Sequence, residues 1–106
     1  PEIDVQGRPG RTPGLSTFDT LERAWGRGRV AQEIDLGLLR PPLRAFRDRP
    51  EEGGAPGHVS IAPADDEGGL DRAALLEWAS TRGDETPHPY TDIVLRSVVQ
   101  VEKRPR

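Results

Sequence analysis

Only two histidines and no cysteine occur in this chain of 106 residues, so few side chains can do acid–base or nucleophilic chemistry near pH 7. The first histidine opens the segment HVSIAP, in which polar or small residues alternate with valine and isoleucine. Such alternation predicts a half-buried β-strand, because successive side chains of a strand point to opposite faces. We therefore expect Val59 and Ile61 to face the core. His58, Ser60 and Ala62 are expected on the exposed face.

Hydroxyl side chains form the first candidate site together with His58 and Ser60. Ser16 and Thr17 lie just before a predicted helix, and Asp19 follows them. Hydroxyls beside an imidazole from a neighbouring strand can bind a ribose or a phosphate and move a proton. The alternative is structural, since Ser and Thr before a helix often cap its backbone amides. In that case the histidine is a hydrogen-bonded or surface residue without a chemical role.

Arginines form a second candidate site, because a guanidinium binds phosphate or carboxylate through two parallel hydrogen bonds. Arg44 and Arg47 lie on one predicted strand, while Arg8 and Arg11 lie in the N-terminal segment. The second histidine, His88, stands between two prolines that favour an extended loop. The alternative is that these arginines are solvated surface residues, as most are in an Arg-rich chain.

A third candidate is Glu102, near the end of the sequence. It stands two residues after Gln100, and side chains two apart on a strand point the same way. The carboxylate and the amide can then orient a ribose hydroxyl together. A polar strand edge beside a basic tail is the alternative. Trp25 and Trp78 each fall on a predicted amphipathic helix and are expected to anchor the core.

The composition predicts one small domain with a modest core. The chain has 12 glycines and 11 prolines, many of them near its ends, so we expect an ordered middle and frayed termini. A net charge of −3 does not indicate nucleic-acid binding. The lack of cysteine excludes disulfides and thiolate zinc sites, and we expect no metal site. No apolar run has the length of a membrane span, and the start at Pro1 leads us to expect a fragment of a longer protein.

The mixture of helix and strand signals predicts an α+β fold, with a small mixed sheet of short strands and two or three flanking helices. Residues 1–14 are rich in glycine and proline and are expected to form a flexible arm or linker. Residues 15–102 are expected to form a single compact domain. Residues 103–106 are then a basic tail.

Strands are predicted over residues 30–36 and 43–47, the second followed by a hairpin-type loop into the histidine strand. A short helix is expected to begin with Asp19 as its N-cap, because a glutamate follows three residues later. Residues 71–82 predict a second helix that ends at a glycine stop signal. The last segment is expected to be helical to about Val99 and extended after it.

Three motifs follow one another along the chain: GLSTFD at residues 14–19, a leucine, proline and aspartate pattern over residues 39–48, and GHVSIAP at residues 57–63. Their order resembles that of Tse2-like bacterial toxin domains, which have an ADP-ribosyltransferase-like fold. The resemblance implies a compact mixed α/β toxin domain from the end of a secreted bacterial effector. It also implies action in a target-cell cytoplasm and neutralisation by an immunity or antitoxin protein.

The same resemblance implies that NAD is the substrate. Ser16 and Thr17 match the hydroxyl motif on the strand that lines the nicotinamide pocket. Arg8 or Arg11 takes the place of the arginine that holds the dinucleotide, and Glu102 that of the glutamate that stabilises the oxocarbenium developing at the ribose. The implied activity is ADP-ribosyl transfer or NAD hydrolysis.

Two other functions stay open. In a ribonuclease toxin, His58 and His88 would act as general base and acid on an RNA 2′-hydroxyl and its leaving oxygen. Arg44 or Arg47 would then stabilise the phosphorane. In a non-catalytic protein-binding module, the helix over residues 71–82 would supply the surface for a partner.

Overall fold

The protein consists of two antiparallel sheets and three α-helices in a computed structural model that describes residues 3–25, 30–81 and 86–103. The predicted α+β fold, with short strands and two or three helices, is confirmed. Its strands separate into a four-stranded and a two-stranded sheet. Within the described ranges, no helix combines the length and apolar character needed to cross a membrane.

The bounds of the elements follow the predicted pattern closely. In chain order the strands are β1 (Ile3–Asp4), β2 (Gly14–Phe18), β3 (Val30–Ile34), β4 (Leu43–Arg47), β5 (His58–Pro63) and β6 (Val98–Lys103). The helices are α1 (Leu21–Trp25), α2 (Arg72–Ser80) and α3 (Pro89–Arg96). The larger sheet has the strand order β1, β2, β5, β4, and the smaller sheet pairs β3 with β6.

Strand β5 lies at the centre of the larger sheet and is buried on both faces, so the expectation of a half-buried strand was wrong. On one face Ile61 packs with Leu75 and Trp78 in the hydrophobic core, which confirms Trp78 as a core anchor. On the other face the Ser60 hydroxyl donates a hydrogen bond of 2.9 Å to the Thr12 carbonyl oxygen. Alternation indicates which residues share a face, but here the N-terminal segment covers the face expected to be open.

The N-terminal segment, predicted as a flexible arm over residues 1–14, is packed against the sheet from Ile3 onward. Strand β1 pairs with β2, with Ile3 opposite Leu15. The Gly10 carbonyl oxygen accepts a hydrogen bond of 2.7 Å from the backbone amide of Arg49. These contacts make residues 3–14 part of the domain, so the boundary expected at residue 14 is corrected. Pro1 and Glu2 lie outside the described residues.

Helices α1 and α2 begin at side-chain caps. Asp71 caps α2, because its carboxylate accepts a hydrogen bond from the amide of Ala74. For α1 the predicted cap Asp19 is wrong: the Thr20 hydroxyl accepts the bond from the Arg23 amide at 3.3 Å. Gly83, the predicted stop of α2, lies outside the described residues.

The end of α3 was predicted too late. The helix stops at Arg96, where Ser97 turns the chain and its hydroxyl donates to the Ile93 carbonyl oxygen. From Val98 the chain runs as β6 beside β3, so the extended end is longer than expected. Lys103 belongs to this strand, and residues 104–106 of the predicted basic tail lie outside the described residues.

We predict that Gly10→Ala weakens the docking of the N-terminal segment. Gly10 has φ +78°, and a Cβ there would lie 2.6 Å from the Arg49 carbonyl oxygen. We expect urea denaturation to show a loss of about 2 kcal/mol in unfolding free energy. The control Gly69→Ala meets only an ordinary contact at 3.4 Å from Asp65 and should change stability by less than about 0.5 kcal/mol. Equal stability of the two variants would contradict the docking.

Candidate active site

Three polar side chains form a continuous hydrogen-bonded chain on one face of the larger sheet. The Ser16 Oγ lies 2.6 Å from the Nε2 of His58. The Nδ1 of the same imidazole lies 2.9 Å from the Oδ1 of Asp48. Asp48 and His58 are buried, with 5% and 1% of their surface exposed, whereas Ser16 is exposed. The chain therefore runs from a buried carboxylate to a hydroxyl at the surface.

The register of the sheet brings these three residues together. In the pairing of β2 with β5, Ser16 lies opposite Ser60 and Phe18 opposite His58. Ser16 and His58 are therefore diagonal neighbours on one face, within reach of each other. On the other side of β5, the Asp48 amide donates to the His58 carbonyl oxygen at 3.1 Å, just beyond the end of β4. The central position of β5 is thus what lets one imidazole contact residues from both neighbouring strands.

Four donors hold the buried carboxylate of Asp48. Its Oδ1 accepts hydrogen bonds from the Thr12 amide at 3.0 Å, the Thr12 hydroxyl at 2.8 Å and His58, and its Oδ2 accepts one from the Ala55 amide at 3.1 Å. Burial alone would raise the pKa of Asp48. The bonds from the Thr12 amide, His58, the Ala55 amide and the Thr12 hydroxyl outweigh that effect and hold the pKa of Asp48 well below its usual range.

The ionised carboxylate fixes the roles of the two imidazole nitrogens. A carboxylate can only accept hydrogen bonds, so Nδ1 of His58 is the nitrogen that carries a proton toward Asp48. In the neutral imidazole, Nε2 is then an acceptor, and the Ser16 hydroxyl donates to it. The Phe18 ring and the imidazole form a T-shaped contact, with ring centroids 5.3 Å apart. The arrangement has the order nucleophile, base and orienting carboxylate.

Other members of the first candidate set have structural partners. The Thr17 hydroxyl donates to the Val59 carbonyl oxygen at 2.6 Å, and Thr17 faces the opposite side of β2 from Ser16. Ser60 is buried and bonds the N-terminal segment. Asp19 forms exposed ion pairs with Arg23 and Arg47. The sequence singled out the strands that carry Ser16 and His58 but did not separate Ser16 from its structural neighbours.

The arginines lie in different places. Arg8 and Arg11 pair through two backbone hydrogen bonds of 3.1 Å and 2.8 Å, and Arg11 directly precedes Thr12 of the site. Arg44 donates to the Gly68 carbonyl oxygen, and Arg47 pairs with an aspartate. Arg8 and Arg11 thus belong to the segment that covers the His58 face, whereas Arg44 and Arg47 have partners of their own.

Glu102 and His88 are not joined to this site by the hydrogen bonds of the described residues. Glu102 lies on β6 in the smaller sheet, where the Gln100 amide donates to its carboxylate at 3.0 Å, as the spacing predicts. His88 caps α3 by accepting a bond from the Tyr90 amide and packs against the Tyr90 ring. Among the described residues, no group of three His, Cys, Asp or Glu side chains converges to hold a metal ion.

Sequence reasoning missed Asp48 and Thr12. Asp48 follows the predicted strand β4, and the predicted hairpin connection leads from it to His58 at the start of β5. Antiparallel pairing across that loop places the end of one strand beside the start of the next. That signal was present in the sequence for Asp48. The contact of Thr12 depends on the docked N-terminal segment, which the local pattern does not indicate.

We predict that Asp48→Asn destabilises the protein by about 3 kcal/mol at pH 7, because buried donors lose their charged acceptor. Folding lowers the pKa of Asp48, so the wild type has this stabilisation above the ordinary Asp pKa and loses it as pH falls below about 4. Urea denaturation at several pH values should therefore show that the difference in unfolding free energy between the wild type and Asp48→Asn becomes smaller in acid.

The matched control is Asp92→Asn. Asp92 forms an exposed ion pair with Arg96 at 2.9 Å, and its loss should change the unfolding free energy by less than about 0.5 kcal/mol. If the difference between wild type and Asp48→Asn stayed constant from pH 7 to pH 3, the ionised state of Asp48 inferred from its hydrogen bonds would be disproved.

Comparison of the chain with protein-family models, curated proteins and solved structures found no match. The geometry of the Ser16, His58 and Asp48 site and the resemblance in the sequence are what bear on function. Of the residues that this resemblance implies, Ser16 is the one that the hydrogen bonds connect to a titratable group.

Proposed function

We propose that this chain is a bacterial effector toxin domain that acts on NAD, by ADP-ribosyl transfer or by hydrolysis. The observation that carries the proposal is the hydroxyl of the exposed residue Ser16, held 2.6 Å from the Nε2 of buried His58. The resemblance to Tse2-like toxin domains implies that the same hydroxyl motif lines the nicotinamide pocket. A hydroxyl whose hydrogen bond is fixed in this way can orient a ribose at the protein surface.

The reaction needs few groups from the protein. The bond between the ribose C1′ and the nicotinamide nitrogen breaks, and its electron pair stays on that nitrogen, so the cationic ring leaves as neutral nicotinamide. The positive charge that develops at C1′ is stabilised by a carboxylate, the role we propose for Glu102. Water or an acceptor group then bonds to C1′ and releases its proton, which His58 can accept through Ser16.

The N-terminal arginines supply the binding charge in this proposal. Arg11 directly precedes Thr12, which bonds Asp48 of the site, and Arg8 pairs with Arg11 through the backbone. A guanidinium in that segment can hold the pyrophosphate of NAD. The partner that follows from an effector delivered into a target cell is an immunity or antitoxin protein. Neutralisation by such a protein is part of this proposal.

The ribonuclease alternative has less support, because no resemblance in the sequence implies it. It needs His58 and His88 on one substrate, yet His58 contacts Asp48 and Ser16, while His88 contacts Tyr90 and lies 4.0 Å from Glu77. The two imidazoles thus have separate sets of partners. The protein-binding alternative uses α2, in which Leu75 and Trp78 pack in the core while five of its nine residues, Leu76 among them, are exposed. This alternative stays open.

The proposal is tested by incubating the purified domain with NAD and measuring released nicotinamide, and by inducing the same variants in bacteria. We expect Glu102→Gln and Ser16→Ala to slow NAD cleavage by roughly 10²-fold and to relieve growth arrest. The control Glu33→Gln, an exposed carboxylate opposite Gln100 in the same two-stranded sheet, should keep wild-type activity.

Three outcomes would contradict the proposal. Growth arrest with intact NAD and degraded RNA that depends on His58 would indicate the ribonuclease. If a folded protein caused neither toxicity nor NAD loss, the protein-binding module would be the remaining alternative. Loss of activity in Glu33→Gln to the same extent as in Glu102→Gln would remove the specific role of Glu102.

A further inference from the structure

We propose that Ser16 is an activated nucleophile, with His58 as its general base and Asp48 as the residue that positions the imidazole. The class of substrate is a carboxylic ester or a similarly activated acyl compound. This proposal does not rest on the proposed NAD activity, which uses Ser16 only to bind and to relay a proton. It assigns the hydroxyl a covalent role.

The hydrogen-bond geometry supports activation. The Ser16 Oγ to Nε2 distance of 2.6 Å and the Nδ1 to Oδ1 distance of 2.9 Å both fall in the range of a nucleophile bonded to its base and a base bonded to its orienting group. The ionised carboxylate fixes the tautomer in which Nε2 accepts the serine proton. It also stabilises the imidazolium that forms when that proton is transferred.

Exposure distinguishes this arrangement from a purely structural one. The side chains of His58 and Asp48 are 2% and 1% exposed, so water has little access to the base directly. Their buried polar atoms are satisfied by Thr12, Ala55 and each other. The remaining imidazole nitrogen points to Ser16, an exposed residue on β2. Of the described residues that hydrogen-bond to the imidazole, Ser16 is the exposed one, so its hydroxyl is the group that can meet an external substrate.

The acyl transfer balances with these residues and solvent water. Ser16 Oγ bonds to the acyl carbon while its proton passes to Nε2 of His58. The bond from the acyl carbon to the alkoxy oxygen breaks, and the leaving oxygen takes the electron pair and then the proton from Nε2. Water next bonds to the acyl carbon and gives a proton to Nε2, which returns it to Ser16 Oγ as that oxygen leaves.

The test is covalent labelling of the whole chain with an alkyl fluorophosphonate, followed by peptide mass spectrometry. The Oγ of an activated serine bonds to phosphorus, fluoride leaves with the bonding electrons, and the proton passes to the base. We expect one adduct, on Ser16. The matched control is Ser80, a serine at the exposed end of α2 whose hydroxyl bonds the Glu77 carbonyl oxygen, and which should stay unlabelled.

The role of the base is tested with His58→Gln, which keeps a polar side chain of similar size. We expect labelling of Ser16 to slow by roughly 10²-fold while circular dichroism shows the wild-type fold. The wild type should hydrolyse p-nitrophenyl acetate. This hydrolysis should slow in His58→Gln in parallel with labelling and should be abolished in Ser16→Ala. Ser80→Ala should label at Ser16 and hydrolyse the ester like the wild type.

The positioning role of Asp48 has its own spectroscopic signature. Nitrogen NMR of the wild-type imidazole should show the proton on Nδ1, whereas in Asp48→Asn an amide can donate to Nδ1 and shift the proton to Nε2. A folded wild type in which Ser16 is unlabelled, or labelled no faster than Ser80, would overturn the proposal. NAD cleavage without Ser16 labelling would overturn it too and leave the proposed function intact.

Discussion

The burial of one ionised carboxylate organises much of this structure. Asp48 stands where β4 ends, and a charge at a site with 5% exposure is stable only if donors surround it. Those donors come from three parts of the chain: Thr12 in the N-terminal segment, Ala55 in the hairpin loop and His58 at the start of β5. Each of these segments is thereby held in place by the same group.

The two faces of β5 are buried by different kinds of contact. On one face of β5, Ile61 joins the core formed with α2 and α3, where Leu75 and Trp78 pack. On the other face, His58 and Ser60 bond polar partners from β2, the N-terminal segment and Asp48. A chain with a modest apolar content can in this way bury a whole strand, because hydrogen bonds complete the side that hydrophobic packing does not supply.

The sequence predicts those parts of the fold and the site that local interactions determine, and misses those that depend on contacts between distant segments. The strands β4 and β5 and the helix α2 were found because alternation, helical spacing and the Asp71 cap are local signals. The end of α3 was missed because Val98 and Val99 suit a helical spacing and a strand equally. Here the turn at Ser97 and the pairing with β3 decide the outcome.

The candidate site was predicted only in part, because its contacts join residues that lie far apart in the sequence. Ser16 and His58 were singled out by residue type. The contact between them depends on the register of β2 with β5, which joins residues 42 positions apart in the sequence. Asp48 was overlooked although the predicted connection from β4 to β5 places it beside His58. Thr12 was missed because it lies in a glycine- and proline-rich segment that packs on the sheet. Local composition identified that segment as an arm, whereas its amides and carbonyls have specific partners in the sheet.

The long sequence separations within the site couple its assembly to that of the domain. Thr12 meets Asp48 across 36 residues, and Ser16 meets His58 across 42. No short fragment of the chain holds the hydroxyl, the imidazole and the carboxylate together. In an unfolded or incompletely synthesised polypeptide they are therefore three independent side chains. The chemistry proposed for Ser16 therefore requires the pairing of β2, β5 and β4, and unfolding abolishes it until these strands pair again.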